Sequence, residues 1–161
     1  RDPFEFSLQF REAEGIRKFL AGTPPVISLS GLEPALDMIL EAGIDPIRRK
    51  SESQSNYLLL LARHLLADHG VRVGSPEVLD RRGSHISLKH AEAYRISKAL
   101  IDPDVGDGPV IPDFREPDNI RLGISPLYTS YEEIFRALRQ LKEILSEKLF
   151  EHYSIARDQV T

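Results

Sequence analysis

Thr23 stands in the stretch Gly22-Thr23-Pro24-Pro25, between the basic, apolar run Arg17-Lys18-Phe19-Leu20 and a segment with helical spacing. Pro24 and Pro25 lack N–H donors and hold φ near the helical value, so they suit the first turn of a helix. Thr23 therefore sits at a helix entrance. Two roles fit a hydroxyl there: capping the helix, or holding an anion against unpaired N–H groups. Two arginines also stand apart. Arg115 closes one candidate strand, and Arg121 lies in the next, between Ile120 and Leu122. At period two Arg121 points opposite to its apolar neighbours. It is either a plain surface arginine or a planar fork for a carboxylate in a cleft, and pattern leaves both open.

Other chemistries are excluded or unsupported. The chain has no cysteine, which removes disulfides, thiolate metal sites and cysteine nucleophiles. Its five histidines, His64, His69, His85, His90 and His152, lack metal-ligand spacing. The step from His64 to His69 separates them by about 140° on a helix, a poor geometry for sharing one ion. The paired Glu132-Glu133 reads as part of a helix cap. No Gly-rich phosphate loop, nucleophile elbow or HExxH is present.

The elements that must position Thr23 and Arg121 follow from the chain in order. The 161 residues are 41% hydrophobic and 29% charged, enough for one domain with a sizeable core. A net charge of −4 gives no sign of a nucleic-acid or anionic-membrane partner. No apolar run is long enough to span a membrane and no signal-peptide pattern occurs, so a cytoplasmic location is the default expectation. The chain opens on Arg1-Asp2-Pro3, with no initiator Met, and reads as a piece beginning in mid-protein.

Residues 1–12 alternate Phe4, Phe6, Leu8 and Phe10 with polar residues, the pattern of an extended segment. Leu29, Leu32, Leu36, Ile39 and Leu40 predict a helix over 26–42, kinked or restarted at Pro34. A second helix opens at Asp45-Pro46 and stops at Gly70, completing an αα-hairpin. Short strands are expected at 71–73, 84–88, 110–114 and 119–123, with a turn at Arg115-Glu116-Pro117-Asp118. Helices are expected over 90–101 and from the capping box at Ser130-Tyr131-Glu132-Glu133, the latter with a stripe of Ile134, Leu138, Leu141, Leu145 and Leu149. The order α-α-β-β-α-β-β-α predicts an α+β fold, a small antiparallel or mixed sheet with helices on one face. The expected organisation is a segment 1–25, a connecting αα-hairpin 26–68 and a small α+β domain 69–161.

Five stretches then stand together in one order: Phe19-Leu20-Ala21-Gly22-Thr23-Pro24-Pro25, Arg82-Gly83-Ser84-His85-Ile86-Ser87-Leu88, Asp113-Phe114-Arg115-Glu116-Pro117-Asp118, Ile120-Arg121 and Pro126-Leu127-Tyr128-Thr129. Together they resemble the C-terminal part of kynureninase, a pyridoxal-phosphate enzyme of the aspartate-aminotransferase fold type. The Gly-Thr-Pro stretch alone is shared with cysteine desulfurases. The other motifs point to kynureninase, and the likeness runs from about residue 6 to residue 149.

The resemblance implies a small C-terminal domain of a homodimer that hydrolyses L-kynurenine, or its 3-hydroxy form, in tryptophan catabolism. The products are anthranilate, or 3-hydroxyanthranilate, and L-alanine. Thr23 matches the position that binds the phosphate of pyridoxal 5′-phosphate from the neighbouring subunit, and residues 1–25 fall on the large-domain side. Arg121 matches the arginine that pairs with the substrate α-carboxylate. The family's Schiff-base lysine has no counterpart here: Lys18, Lys50, Lys89, Lys98, Lys142 and Lys148 do not occupy that motif. The chain is thus expected to hold no catalytic residue, to need the remaining N-terminal portion of the enzyme, and to be inactive alone. Alternatives are a related lyase or desulfurase-like enzyme, against which the missing cysteine argues, and a stand-alone interaction module docking through its exposed apolar faces.

Overall fold

A computed structural model describes residues 8–9, 11–20 and 22–156. Most of the expected extended segment at 1–12, including Phe4, Phe6 and Phe10, lies outside the described residues. The chain divides into two compact units, 1–42 and 43–161.

In the first unit, a single 3-10 turn at Gly15–Phe19 precedes two short helices, α1 (Val26–Ser30) and α2 (Glu33–Ala42). The expected helix over 26–42 is thus interrupted after Ser30, whose hydroxyl bonds back to the Ile27 carbonyl at 2.9 Å. Pro34 takes the second position of α2, in the first turn, where its missing N–H costs nothing. None of the described residues of this unit is buried; Val26, Ile27, Leu36 and Leu40 are all exposed. Apolar residues without a core cannot outweigh the entropy of ordering two short helices. In hydrogen exchange of the isolated chain, α1 and α2 amides should therefore exchange orders of magnitude faster than those of the second unit's sheet. Equal protection of the two units would contradict this.

The second unit carries the core. The long helix α3 (Ile44–Leu65) starts two residues earlier than the Asp45-Pro46 signal, with Gly43 at the N-cap at φ +77°. The helix ends at Leu65, short of the expected stop at Gly70, which at φ +71° closes the separate 3-10 turn Ala67–His69. Strands β1 (Arg72–Val73), β2 (His85–Lys89), β3 (Asp113–Arg115) and β4 (Asn119–Gly123) form one sheet in the order β1-β2-β4-β3, with every pair antiparallel. Ile86, Leu88, Ile120 and Leu122 alternate onto one face. They bury against α3, α4 (Ala93–Ile101) and α5 (Tyr131–Ser146) through Leu58, Ile96, Leu100, Leu138, Leu141 and Ile144. This is the expected α+β architecture.

Three boundaries moved for identifiable reasons. The strand expected over 110–114 begins only at Asp113, because the Val110 N–H goes to the Leu100 carbonyl at 2.7 Å and Pro112 has no N–H to give. Helix α4 begins at Ala93 rather than His90, because the His90 ring takes the Glu92 N–H in a turn of its own. Helix α5 ends at Ser146, and Leu149 belongs to a separate 3-10 turn, Leu149–His152, entered through Lys148 at φ +54°. The capping box formed as read: Ser130 Oγ accepts the Glu133 N–H at 3.1 Å and the Glu133 carboxylate accepts the Ser130 N–H at 2.7 Å. The Ser130 N–H, and after it the Ser130 hydroxyl at 2.9 Å, both donate to the Glu133 carboxylate and hold its pKa below the ordinary range.

Candidate functional site

The face of the sheet turned away from the helices is polar, and Arg121 lies at its centre. Period two sends Ile120 and Leu122 inward and Arg121 outward, where its side chain is about one-third exposed (34%). Across the sheet, Ser87 on β2 and Asp113 on β3 occupy the register positions flanking it. The next row holds Arg72, Lys89, Asn119 and Arg115. Ser87 Oγ donates to Asn119 Oδ1 at 2.7 Å, and Asp118, after the turn, takes Lys89 at 3.4 Å and Arg72 at 3.9 Å. The row is thereby fixed by bonds between neighbouring strands and the turn.

Arg121 Nη2 bonds to Asp113 Oδ2, and Arg115 Nε reaches both oxygens of the same carboxylate, at 3.2 and 3.3 Å. Two guanidiniums share one carboxylate, so the cluster keeps one net positive charge. The Arg121 guanidinium, followed by Arg115, holds the Asp113 carboxyl below the usual carboxylate range. Among the described residues, Arg121 Nε and Nη1 make no hydrogen bond. With one of five N–H donors spent, a complete two-donor edge remains for a second carboxylate.

Thr23 lies in the first unit and is exposed, and among the described residues its hydroxyl makes no hydrogen bond. The helix-capping role does not materialise: the N-cap position of α1 is Pro25, with no side-chain cap bond. Thr23 and Arg121 thus fall in different units. The histidines gather no metal cluster among the described residues. Burial lowers the pKa of His90, and its Nδ1 accepts the Glu92 N–H at 3.0 Å. A cavity of about 450 Å³ opens elsewhere in the second unit, walled by Val110, Ile111, Leu122, Ile124 and Tyr128. Arg121 is not in its wall.

Sequence reasoning passed over two residues. Asp113 reads in the sequence as a strand residue and as the start of the Asp113–Asp118 stretch, with no site role. Counting outward from the turn at 116–118 pairs Arg115 with Asn119 and so Asp113 with Arg121, a signal available to a hairpin argument. Arg82 is buried, and its guanidinium serves the Pro76 and Glu77 carbonyls, Ser55 Oγ and Asn56 Oδ1. All its partners are distant or loop atoms, and no local pattern marks them.

A family profile described as the kynureninase C-terminal domain matches residues 47–141, a span containing the whole sheet and most of α3 and α5. This chain belongs to the kynureninase family. It is 43% identical over 139 residues to a kynureninase of Geobacillus thermodenitrificans, covering 86% of this chain and 31% of that protein. Against a kynureninase of Bacillus cereus it is 38% identical over 98% of this chain and 36% of the relative. Against one of Pseudomonas fluorescens it is 35% identical over 90% of this chain and 34% of the relative. The chain thus spans about a third of the length of the kynureninases it matches, and its sheet lies within the span that matches their C-terminal domain. No described helix is long and apolar enough to cross a membrane.

Proposed function

We propose that this chain is the C-terminal part of a kynureninase that hydrolyses L-kynurenine, or its 3-hydroxy form, to anthranilate or 3-hydroxyanthranilate and L-alanine. The observation that carries the reading is Arg121, anchored on the solvent face of the sheet with a two-donor edge to spare. The substrate is an α-amino acid, and its carboxylate fits that edge as a bidentate partner. Binding it there fixes the Cα–Cβ–Cγ chain relative to the sheet and leaves the aryl ketone to be recognised by other residues.

The family cofactor, pyridoxal 5′-phosphate, supplies an electron sink for negative charge developing on the substrate. The chemistry of Thr23 fits one contact to it. Its exposed hydroxyl can donate to a phosphate oxygen, and in the homodimer it would do so from the neighbouring subunit, with residues 1–25 on the large-domain side. Residues 26–68 would connect this side to the small domain, 69–161. The Schiff-base lysine would come from the upstream two-thirds of the enzyme. Water enters the overall reaction once: its OH completes the anthranilate carboxyl and a proton completes the methyl of alanine.

The test is anthranilate release. The full-length enzyme supplied with pyridoxal phosphate should produce anthranilate and alanine in equal amounts from kynurenine, whereas the 161 residues alone should produce neither. Release from the isolated chain, or none from the full-length enzyme, would overturn the reading.

A further inference from the structure

Arg121 is a long side chain on an open sheet face. Left to itself it would sample many rotamers, and a substrate would have to overcome that side-chain entropy on binding. The neighbouring strand removes that freedom. The hairpin register puts Asp113 directly opposite Arg121, and its carboxylate takes Nη2. Asp113 is itself steadied from one residue pair away, where Arg115 Nε reaches both its oxygens at 3.2 and 3.3 Å. On the other flank Ser87 is occupied with Asn119 at 2.7 Å. A single neutralising partner would leave Arg121 with no net attraction for an anion. Arg115 restores it, because two cations share the one carboxylate.

We infer that Asp113 is a positioning residue for substrate binding: it fixes one side of the Arg121 guanidinium from β3, so that the remaining two-donor edge is preset for the α-carboxylate. This rests on the proposed role of Arg121 in binding kynurenine. Asp113 touches neither substrate nor cofactor and acts only through Arg121. The side chain is about half exposed (46%), so replacing it leaves the core intact.

The experiment is steady-state kinetics on the full-length enzyme with Asp113→Asn, Arg121→Ala and the double variant. Asp113→Asn keeps the shape and removes the charge. It should raise KM for kynurenine about tenfold with kcat within about twofold of the parent, since a preset guanidinium favours bound substrate and transition state alike. In the Arg121→Ala background the same change should add less than about twofold. Inhibition by the analogue lacking the α-carboxylate should be the same in parent and Asp113→Asn enzymes. An unchanged or lowered KM in Asp113→Asn, or an undiminished effect in the double variant, would overturn the positioning role while leaving Arg121 in place. Full activity in Arg121→Ala would instead remove the reading on which it rests.

Discussion

Arg121→Ala in the full-length enzyme should lower kcat/KM for kynurenine by about tenfold to more than a hundredfold. A charge-assisted hydrogen bond to an ionised group contributes about 1.5–3 kcal/mol, and a bidentate pair lies at or above the upper end. Each 1.4 kcal/mol is a factor of ten in rate or binding. The neighbourhood argues for a large effect. Ala leaves Asp113 facing the incoming carboxylate with only Arg115 to offset it, so the local charge falls from one positive unit to zero. Arg121→Lys should recover only part of the loss. An ammonium is a point charge and cannot present two parallel donors, and its shorter reach forces a choice between Asp113 and the substrate. The protein itself should stay folded in both variants, because Ile120 and Leu122 on the opposite face make the core contacts of β4. The measurement is initial-rate kinetics with kynurenine, alongside the thermal midpoint of each variant. An unchanged kcat/KM with an unchanged midpoint removes Arg121 from the substrate site.

What the sequence makes legible divides along the range of the interaction responsible. Gly70 closes a 3-10 turn rather than α3, which ends at Leu65. The α5 capping box and the inward alternation of β2 and β4 are settled within a few residues of chain, and both stand in the structure. So does the outward direction of Arg121, since it follows from the burial of its two neighbours. Where competing bonds come from afar, local pattern fails. Val110 reads as strand by alternation, yet its N–H is taken by Leu100 at the end of α4. His90 reads as the start of a helix, yet its ring competes for the backbone. The partner of Arg121 lies between these cases, fixed by a register that the turn at 116–118 sets. The weight of Thr23 also shifts. Its helix-capping role is absent, because the N-cap falls two residues later at Pro25, and the proposed phosphate contact rests on the family resemblance alone.

The largest effect on stability is expected at Arg82, the residue least visible to pattern. The connection from β1 to β2 has only one turn of 3-10 helix, Leu79–Arg81, and among the described residues the Pro76, Glu77 and Arg82 carbonyls take no backbone N–H. Two arginines satisfy them. Arg48, on α3, gives its terminal nitrogens to the Arg82 and Leu79 carbonyls at 3.2 and 3.4 Å. Arg82, 6% exposed, turns back with Nη1 at 3.1 Å from both the Pro76 and Glu77 carbonyls, while Nη2 meets Ser55 and Asn56 on α3. Its Nε is buried without a partner, so its desolvation is only partly offset and the fork must supply the rest. Arg82→Ala removes the donors and leaves several acceptors at the α3 surface unpaired, in addition to a void. The expected loss is about 2 kcal/mol, from the void and the stranding of buried Ser55, because water can reach the acceptors on the exposed Pro76, Glu77 and Asn56. Arg82→Met restores volume without donors and should recover less than half. Arg82→Lys should do no better, since one ammonium cannot reach four acceptors spread across a planar fork. Urea unfolding of the second unit, followed at the tyrosines, reads the difference. A midpoint unchanged in Arg82→Met would mean that volume, and not the hydrogen bonds, holds the 74–84 connection against α3.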